Sequence, residues 1–116
     1  MTPQPETPPP GEPPSSEPEQ PVMSAQERAQ WNEVEDRYAL AVSHIDSARA
    51  LLNDHSARLA TMGQSPRPEL LSSVTSGQLN LERARRAIEQ GDIETARQSI
   101  QRAEAFASRV LKQLGG

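Results

Sequence analysis

The chain has 116 residues, enough for one small domain, and contains no cysteine, which excludes disulfides and thiolate metal sites. Its formal net charge of −4 lies entirely in the first 22 residues, because the remainder balances twelve acids against twelve bases. A neutral domain with interleaved charges is a poor match to nucleic acid or anionic lipid, so we expect neither as a partner. The sequence also lacks the run of about 18 apolar residues that a membrane-spanning helix needs, so direct membrane insertion is not expected.

Residues 1–23 are predicted to form a disordered Pro/Glu-rich tail. Nine of the eleven prolines lie before residue 23, together with four glutamates and no basic residue. This composition offers little apolar surface to bury and favours extended polyproline II conformations. We expect a flexible tether or spacer, and three Pro-x-x-Pro spacings leave a docking motif as the alternative.

Residues 24–62 are predicted to form one long helix. Ser24 and Glu27 make a capping box at its start, and Gly63 supplies the left-handed residue that ends it. Apolar residues recur at alternating steps of three and four, which places them on one helical face. The stripe comprises Trp31, Val34, Tyr38, Ala41, Ile45, Ala48, Leu52, His55, Leu59 and Met62.

Two shorter helices follow. Ser65 is predicted to cap the second helix with Pro66 at its first position, and Gly91 and Asp92 separate the second helix from the third. Because that connection is short, the two helices should form an antiparallel hairpin. Their apolar stripes are Leu70, Leu71, Val74, Gly77, Leu81, Ala84 and Ile88, and then Ile93, Ala96, Ile100, Ala103, Phe106, Ala107, Val110, Leu111 and Leu114.

Gly77 lies on the inward face of the second helix, where a glycine costs about 1 kcal/mol of helix propensity relative to alanine. We interpret it as a point of close helix–helix approach or a slight kink, with a hinge as the alternative.

Three amphipathic stripes joined by short turns predict an all-α fold, an antiparallel three-helix bundle over residues 24–116. The first helix is longer than its two companions, so part of its stripe should remain uncovered. We therefore expect a protein partner or self-association as a homo-oligomer. The proposed partner-binding residues, chosen for their large apolar area, are Trp31, Val34, Tyr38 and Leu59.

The sequence predicts no catalytic, cofactor or metal site. His44 and His55 are the two histidines, and on one helix they lie about 16 Å apart, too far to share a metal ion. His55 falls on the apolar stripe and is a candidate pH-sensitive position, with an ordinary seam histidine as the alternative.

Arginines are concentrated on the predicted hairpin but are diluted by glutamates and lack interleaved aromatic residues. We expect them to pair with the acidic first helix rather than with nucleic acid. This basic set comprises Arg83, Arg85, Arg86, Arg97, Arg102 and Arg109.

These features favour a non-catalytic protein–protein interaction or scaffolding module that presents a helical apolar seam and is tethered by the Pro-rich tail. The alternatives are a small-molecule or lipid carrier that binds between helices, and a spacer domain of a cell-envelope lipoprotein. The sequence identifies neither the partner nor the compartment. The candidate compartments are the cytoplasm, and the cell envelope if a lipoprotein or signal segment has been removed.

Overall fold

A computed structural model describes residues 23–115, which contain three helices and no strand. The helices are α1 (Ala25–Ala60), α2 (Pro68–Gln90) and α3 (Ile93–Gly115). The predicted three-helix bundle is therefore confirmed. α1 has 36 residues against 23 in each of the other two, so it is about 54 Å long against about 35 Å. The predicted tail, residues 1–23, lies outside the described residues except for Met23.

Residues 23–30 contain the predicted capping box at the start of α1. The Glu27 backbone N–H donates to Ser24 Oγ at 3.0 Å, and the Ser24 backbone N–H donates to Glu27 Oε1 at 3.0 Å. Two N–H groups that the first helical turn leaves without a backbone acceptor are thereby satisfied.

α1 and α2 both end in a Schellman motif built on a glycine. Gly63 and Gly91 have φ values of 72° and 75°, in the left-handed region that favours glycine. After α1, the Gln64 N–H donates to the carbonyl of Leu59 at 2.9 Å; after α2, the Asp92 N–H donates to the carbonyl of Ala87 at 2.8 Å. These bonds satisfy carbonyl groups that the last turn would otherwise leave free, which is why the chain reverses at the two predicted glycines.

The predicted start of α2 is wrong by two residues. The helix begins at Pro68 rather than Pro66, and Arg67 rather than Ser65 is the N-cap residue, without a side-chain cap. The reason is steric, because the ring of a proline disfavours helical geometry in the residue before it. Arg67, which precedes Pro68, is accordingly extended, with φ −63° and ψ 137°.

The two buried clusters define how the helices run. The first cluster comprises Val34, Ala41, Ile45, Leu81, Ala84, Ala87, Ala96, Ile100, Ala103 and Ala107. The second comprises Ala48, Leu52, Leu70, Val74 and Val110. The earlier part of α1 thus meets the end of α2 and the beginning of α3, and the later part meets the beginning of α2 and the end of α3. α1 is antiparallel to α2 and parallel to α3.

Gly77 marks the closest approach of α1 to α2. A Cβ atom built on Gly77 would overlap Cδ1 of Ile45 and would lie 3.6 Å from Cβ of Phe106 on α3. Ile45 is 1% exposed, so its side chain has little free space into which to move. α2 continues unbroken through this position, and the glycine serves close packing rather than a hinge.

We expect Gly77→Ala to lower the free energy of unfolding by about 1 kcal/mol, because overpacking costs about 1–3 kcal/mol and outweighs the gain of about 1 kcal/mol in helix propensity. In an Ile45→Val background, which lacks Cδ1, the same substitution should instead be neutral or stabilising. Urea denaturation of the four chains measures this difference. Equal effects of Gly77→Ala in the two backgrounds would contradict the packing role of this glycine.

Asp92 caps the start of α3, since its carboxylate accepts a hydrogen bond from the Thr95 backbone N–H at 3.1 Å. Hydrogen bonds from the Thr95 side chain and backbone hold the pKa of this carboxyl below its ordinary value. The carboxylate therefore stabilises the fold above the unfolded-state pKa, and this contribution is lost as the pH falls through the folded-state pKa.

We expect Asp92→Asn, which keeps a neutral cap, to remove this acid-dependent contribution. Thermal unfolding followed by circular dichroism should show the original chain more stable at pH 7, with the difference shrinking below about pH 4. A difference between the two chains that does not change with pH would argue against it.

Candidate protein-binding groove

The residues predicted to bind a partner lie mostly inside the bundle. Val34 is 1% exposed within the first buried cluster, and Trp31 and Tyr38 are half-buried against that cluster. The α2–α3 hairpin thus covers most of Val34, and its role in partner binding stays a prediction. Leu59 is half-buried near the end of α1, and the roles of Trp31, Tyr38 and Leu59 in binding stay predictions.

The flank of α1 that faces α3 carries a surface groove with a volume of about 800 Å³. Its floor is apolar and includes buried Ile100, while charged side chains form its rim. The lining residues are Glu33, Val34, Arg37, Leu40 and His44 from α1, and Arg97, Ile100, Gln101 and Glu104 from α3. The groove is therefore built by two helices that run in the same direction.

Helical spacing explains why these side chains line one groove. On α1, Arg37, Leu40 and His44 follow one another at steps of three and four, and on α3 the residues Arg97, Ile100 and Glu104 do the same. Residues at this spacing share one face of a helix. The two faces meet because α1 and α3 pack side by side.

A hydrogen bond between His44 and Glu104 connects the two walls of the groove. His44 Nδ1 lies 2.6 Å from Glu104 Oε1, and the two side chains are 41% and 32% exposed. Because a carboxylate only accepts hydrogen bonds, Nδ1 carries the proton. The bond also aligns the two helices along their length. In this region each α1 residue lies at the same height as the α3 residue whose number is 60 higher.

A second groove, of about 460 Å³, continues on the far side of the His44–Glu104 pair. Its lining includes His44 and Glu104 themselves, and half-buried Leu51 and Leu111 lie level with each other in the same register. Lys112 contributes a positive charge to its wall. The α1/α3 face thus presents two adjacent grooves separated by one hydrogen-bonded pair.

The arginines of the groove form ion pairs only along their own helices. Arg37 Nη2 lies 3.4 Å from Glu33 Oε2, and Arg97 Nη1 lies 3.7 Å from Glu94 Oε2. Exposed pairs of this kind contribute little to stability and leave most guanidinium N–H groups free. Among residues 23–115 no arginine of the hairpin forms an ion pair with α1, so the predicted pairing between them is wrong. Arg97 pairs instead with Glu94 of its own helix, and the Arg109 guanidinium lies 5.3 Å from the centre of the Phe106 ring.

Leu40 is the most exposed apolar residue of the groove. It is 53% exposed, and Leu71 and Leu79 on α2, which line neither groove of this face, have similar exposures of 50% and 58%. A single exposed leucine needs no explanation, but Leu40 lies against an apolar floor flanked by charges, which is the arrangement of a docking surface.

Leu40, His44 and Glu104 were missed as site residues by the sequence analysis. Leu40 lies off the heptad stripe, and the sequence analysis considered His44 only as a metal ligand. The sequence feature that could have identified them is a shared spacing: Arg37, Leu40 and His44 follow one another at the same steps as Arg97, Ile100 and Glu104. This shared spacing predicts a common groove only when α1 and α3 are known to pack side by side in the same direction.

The fold and this groove define a three-helix bundle with a helix-lined surface groove. Comparisons with protein-family models, with curated proteins and with solved structures gave no match. Within residues 23–115, no helix is both long and apolar enough to cross a membrane. Over the same residues, no three histidine or acidic side chains converge as a group that could hold a metal ion. His55 is half-buried near the end of α1, and its pH sensitivity stays a prediction.

The hydrogen bond to Glu104 should select the tautomer of His44. We expect ¹⁵N–¹H correlation spectra to show a proton on Nδ1 of His44 at neutral pH, and Glu104→Ala to lower the population of that form. His55, which forms no ion pair with an acidic side chain among residues 23–115, serves as an internal reference in the same spectra. An unprotonated Nδ1 in the original chain would contradict the hydrogen bond.

Proposed function

We propose that this chain is a non-catalytic protein–protein interaction module whose docking surface is the α1/α3 groove. The observation that carries the proposal is the groove of about 800 Å³ with an apolar floor, a charged rim and half-exposed Leu40 in its wall. The class of partner is a protein helix, because two parallel helices leave an elongated depression that suits a third.

An amphipathic helix can bind in such a depression by placing its apolar face on the floor. Burying a leucine fully contributes about 1.5–3 kcal/mol, so covering Leu40 supplies part of the binding free energy. Arg37, Arg97 and Glu104 at the rim supply directional hydrogen bonds and charge, which decide between partners more than they add affinity. The Pro/Glu-rich composition of residues 1–22 fits a tether in this proposal.

The carrier alternative receives less support. A carrier for a small molecule or lipid needs an enclosed apolar cavity. The seams between these helices are instead filled by alanines, and Gly77 leaves no room for even a methyl group beside Ile45. The grooves on the α1/α3 face open to the surface, which favours a macromolecular ligand.

A photo-crosslinking side chain at position 40 tests the proposal, with position 79 as the matched control of similar exposure. On irradiation in cells that express the chain, we expect protein adducts from position 40 and few from position 79. Leu40→Lys should weaken binding of the recovered protein by at least about tenfold, since the lost burial exceeds about 1.4 kcal/mol, whereas Leu79→Lys should not. Adducts of equal yield at both positions, or none at position 40, would refute the groove as a docking surface.

A further inference from the structure

We infer that the helix which binds the α1/α3 groove belongs to a second copy of this chain, docked antiparallel about a two-fold axis beside Leu40. This inference rests on the proposed function, because it names the partner of the same groove. It is carried by the order of charges along the groove.

Six of the nine residues that line the groove form three levels, each with one residue from α1 and one from α3. The His44–Glu104 hydrogen bond sets this register, and both helices lie parallel. Arg37 is level with Arg97, seven residues before the pair, and Leu40 is level with Ile100. The arginine level and the level of Glu104 are seven residues apart, which is about 10 Å along a helix. The apolar level of Leu40 and Ile100 lies between them.

This order is complementary to itself when one copy is turned around. The midpoint between positions 37 and 44 falls immediately after position 40, at the apolar level. A two-fold axis that lies in the interface and is perpendicular to the helices at that point faces α1 with α1 and α3 with α3. It places Arg97 of one copy against Glu104 of the other and Arg37 against His44, and the symmetry repeats each contact. An isologous interface requires a surface that is complementary to itself in this way.

The same charges disfavour the parallel arrangement. A second copy docked in the same direction would place Arg37 of each copy against Arg97 of the other, and such like-charge contacts cost several kcal/mol at an interface. At the apolar level, Leu40 of each copy would be covered by the other. The intrahelical pairs of Arg37 with Glu33 and Arg97 with Glu94 are exposed, so their guanidinium groups can donate across the interface.

Sedimentation velocity of the full chain tests the inference through charge reversal. We expect a reversible dimer that Arg97→Glu and Glu104→Arg each weaken by at least about tenfold, because each substitution places like charges together twice in the homodimer. An equimolar mixture of these two variants should dimerise again, because in the mixed dimer both contacts join opposite charges. Leu40→Lys should abolish the dimer.

Two variants serve as matched controls. Leu79→Lys introduces the same charge at a leucine outside the groove, and Arg102→Glu reverses a charge on an exposed part of α3 that does not line it. Both should leave the dimer intact. Circular dichroism establishes that each variant remains helical. If a charge reversal unfolds the chain, the neutral substitutions Arg97→Gln and Glu104→Gln are used instead, and each should weaken the dimer less than a charge reversal would.

The results separate this inference from the proposed function. A chain that stays monomeric while position 40 crosslinks to a different protein overturns the inference and leaves the proposed function intact. A dimer that survives Leu40→Lys uses another face and overturns the inference. A dimer that Leu40→Lys abolishes but that the mixture of charge variants fails to restore also overturns it, because the antiparallel pairing of charges would be wrong.

Discussion

The side chain of Ile45 occupies the space beside Gly77 where any other residue would place a Cβ atom. This contact brings α1 close to α2, and the six alanines of the first buried cluster extend the same close packing to α3. Small seam residues let helix axes approach each other, but they leave little apolar volume in the interior. The described core is therefore built largely from small side chains in close contact.

Close packing at the centre also accounts for the groove at the surface. With much of the apolar stripe of α1 covered by the α2–α3 hairpin, the flank of α1 beside α3 still presents accessible apolar surface at Leu40. The His44–Glu104 hydrogen bond joins the two helices there and keeps their residues level. Arg37, Leu40 and their counterparts on α3 consequently form an ordered sequence of charges and apolar groups. The proposed docking function depends on that order of charged and apolar groups.

Prediction from the sequence succeeded where the determining interactions are local. The capping box at Ser24, the left-handed glycines and the three apolar stripes each depend on residues within a turn or two of one another, and all were predicted. The start of α2 was missed although its cause is also local, because Ser65 looked like a cap and the effect of Pro68 on Arg67 was not weighed. The predicted pairing of the hairpin arginines with α1 was wrong, because it depends on how the helices are rotated against each other, and Arg97 instead meets Glu94 three residues away on its own helix.

By itself the sequence determined the number of helices, the glycines that end the first two and the face that each helix buries, since hydrophobic periodicity and capping act over a few residues. Only the tertiary structure decided that Val34 is core, that Gly77 accommodates Ile45, and that α1 and α3 place Arg37 beside Arg97 and His44 beside Glu104. These relations join residues 32 to 60 positions apart in the chain or depend on which flank of a helix its neighbours cover. Periodicity within one helix carries no information on its rotation or register against another, and the groove is a product of both.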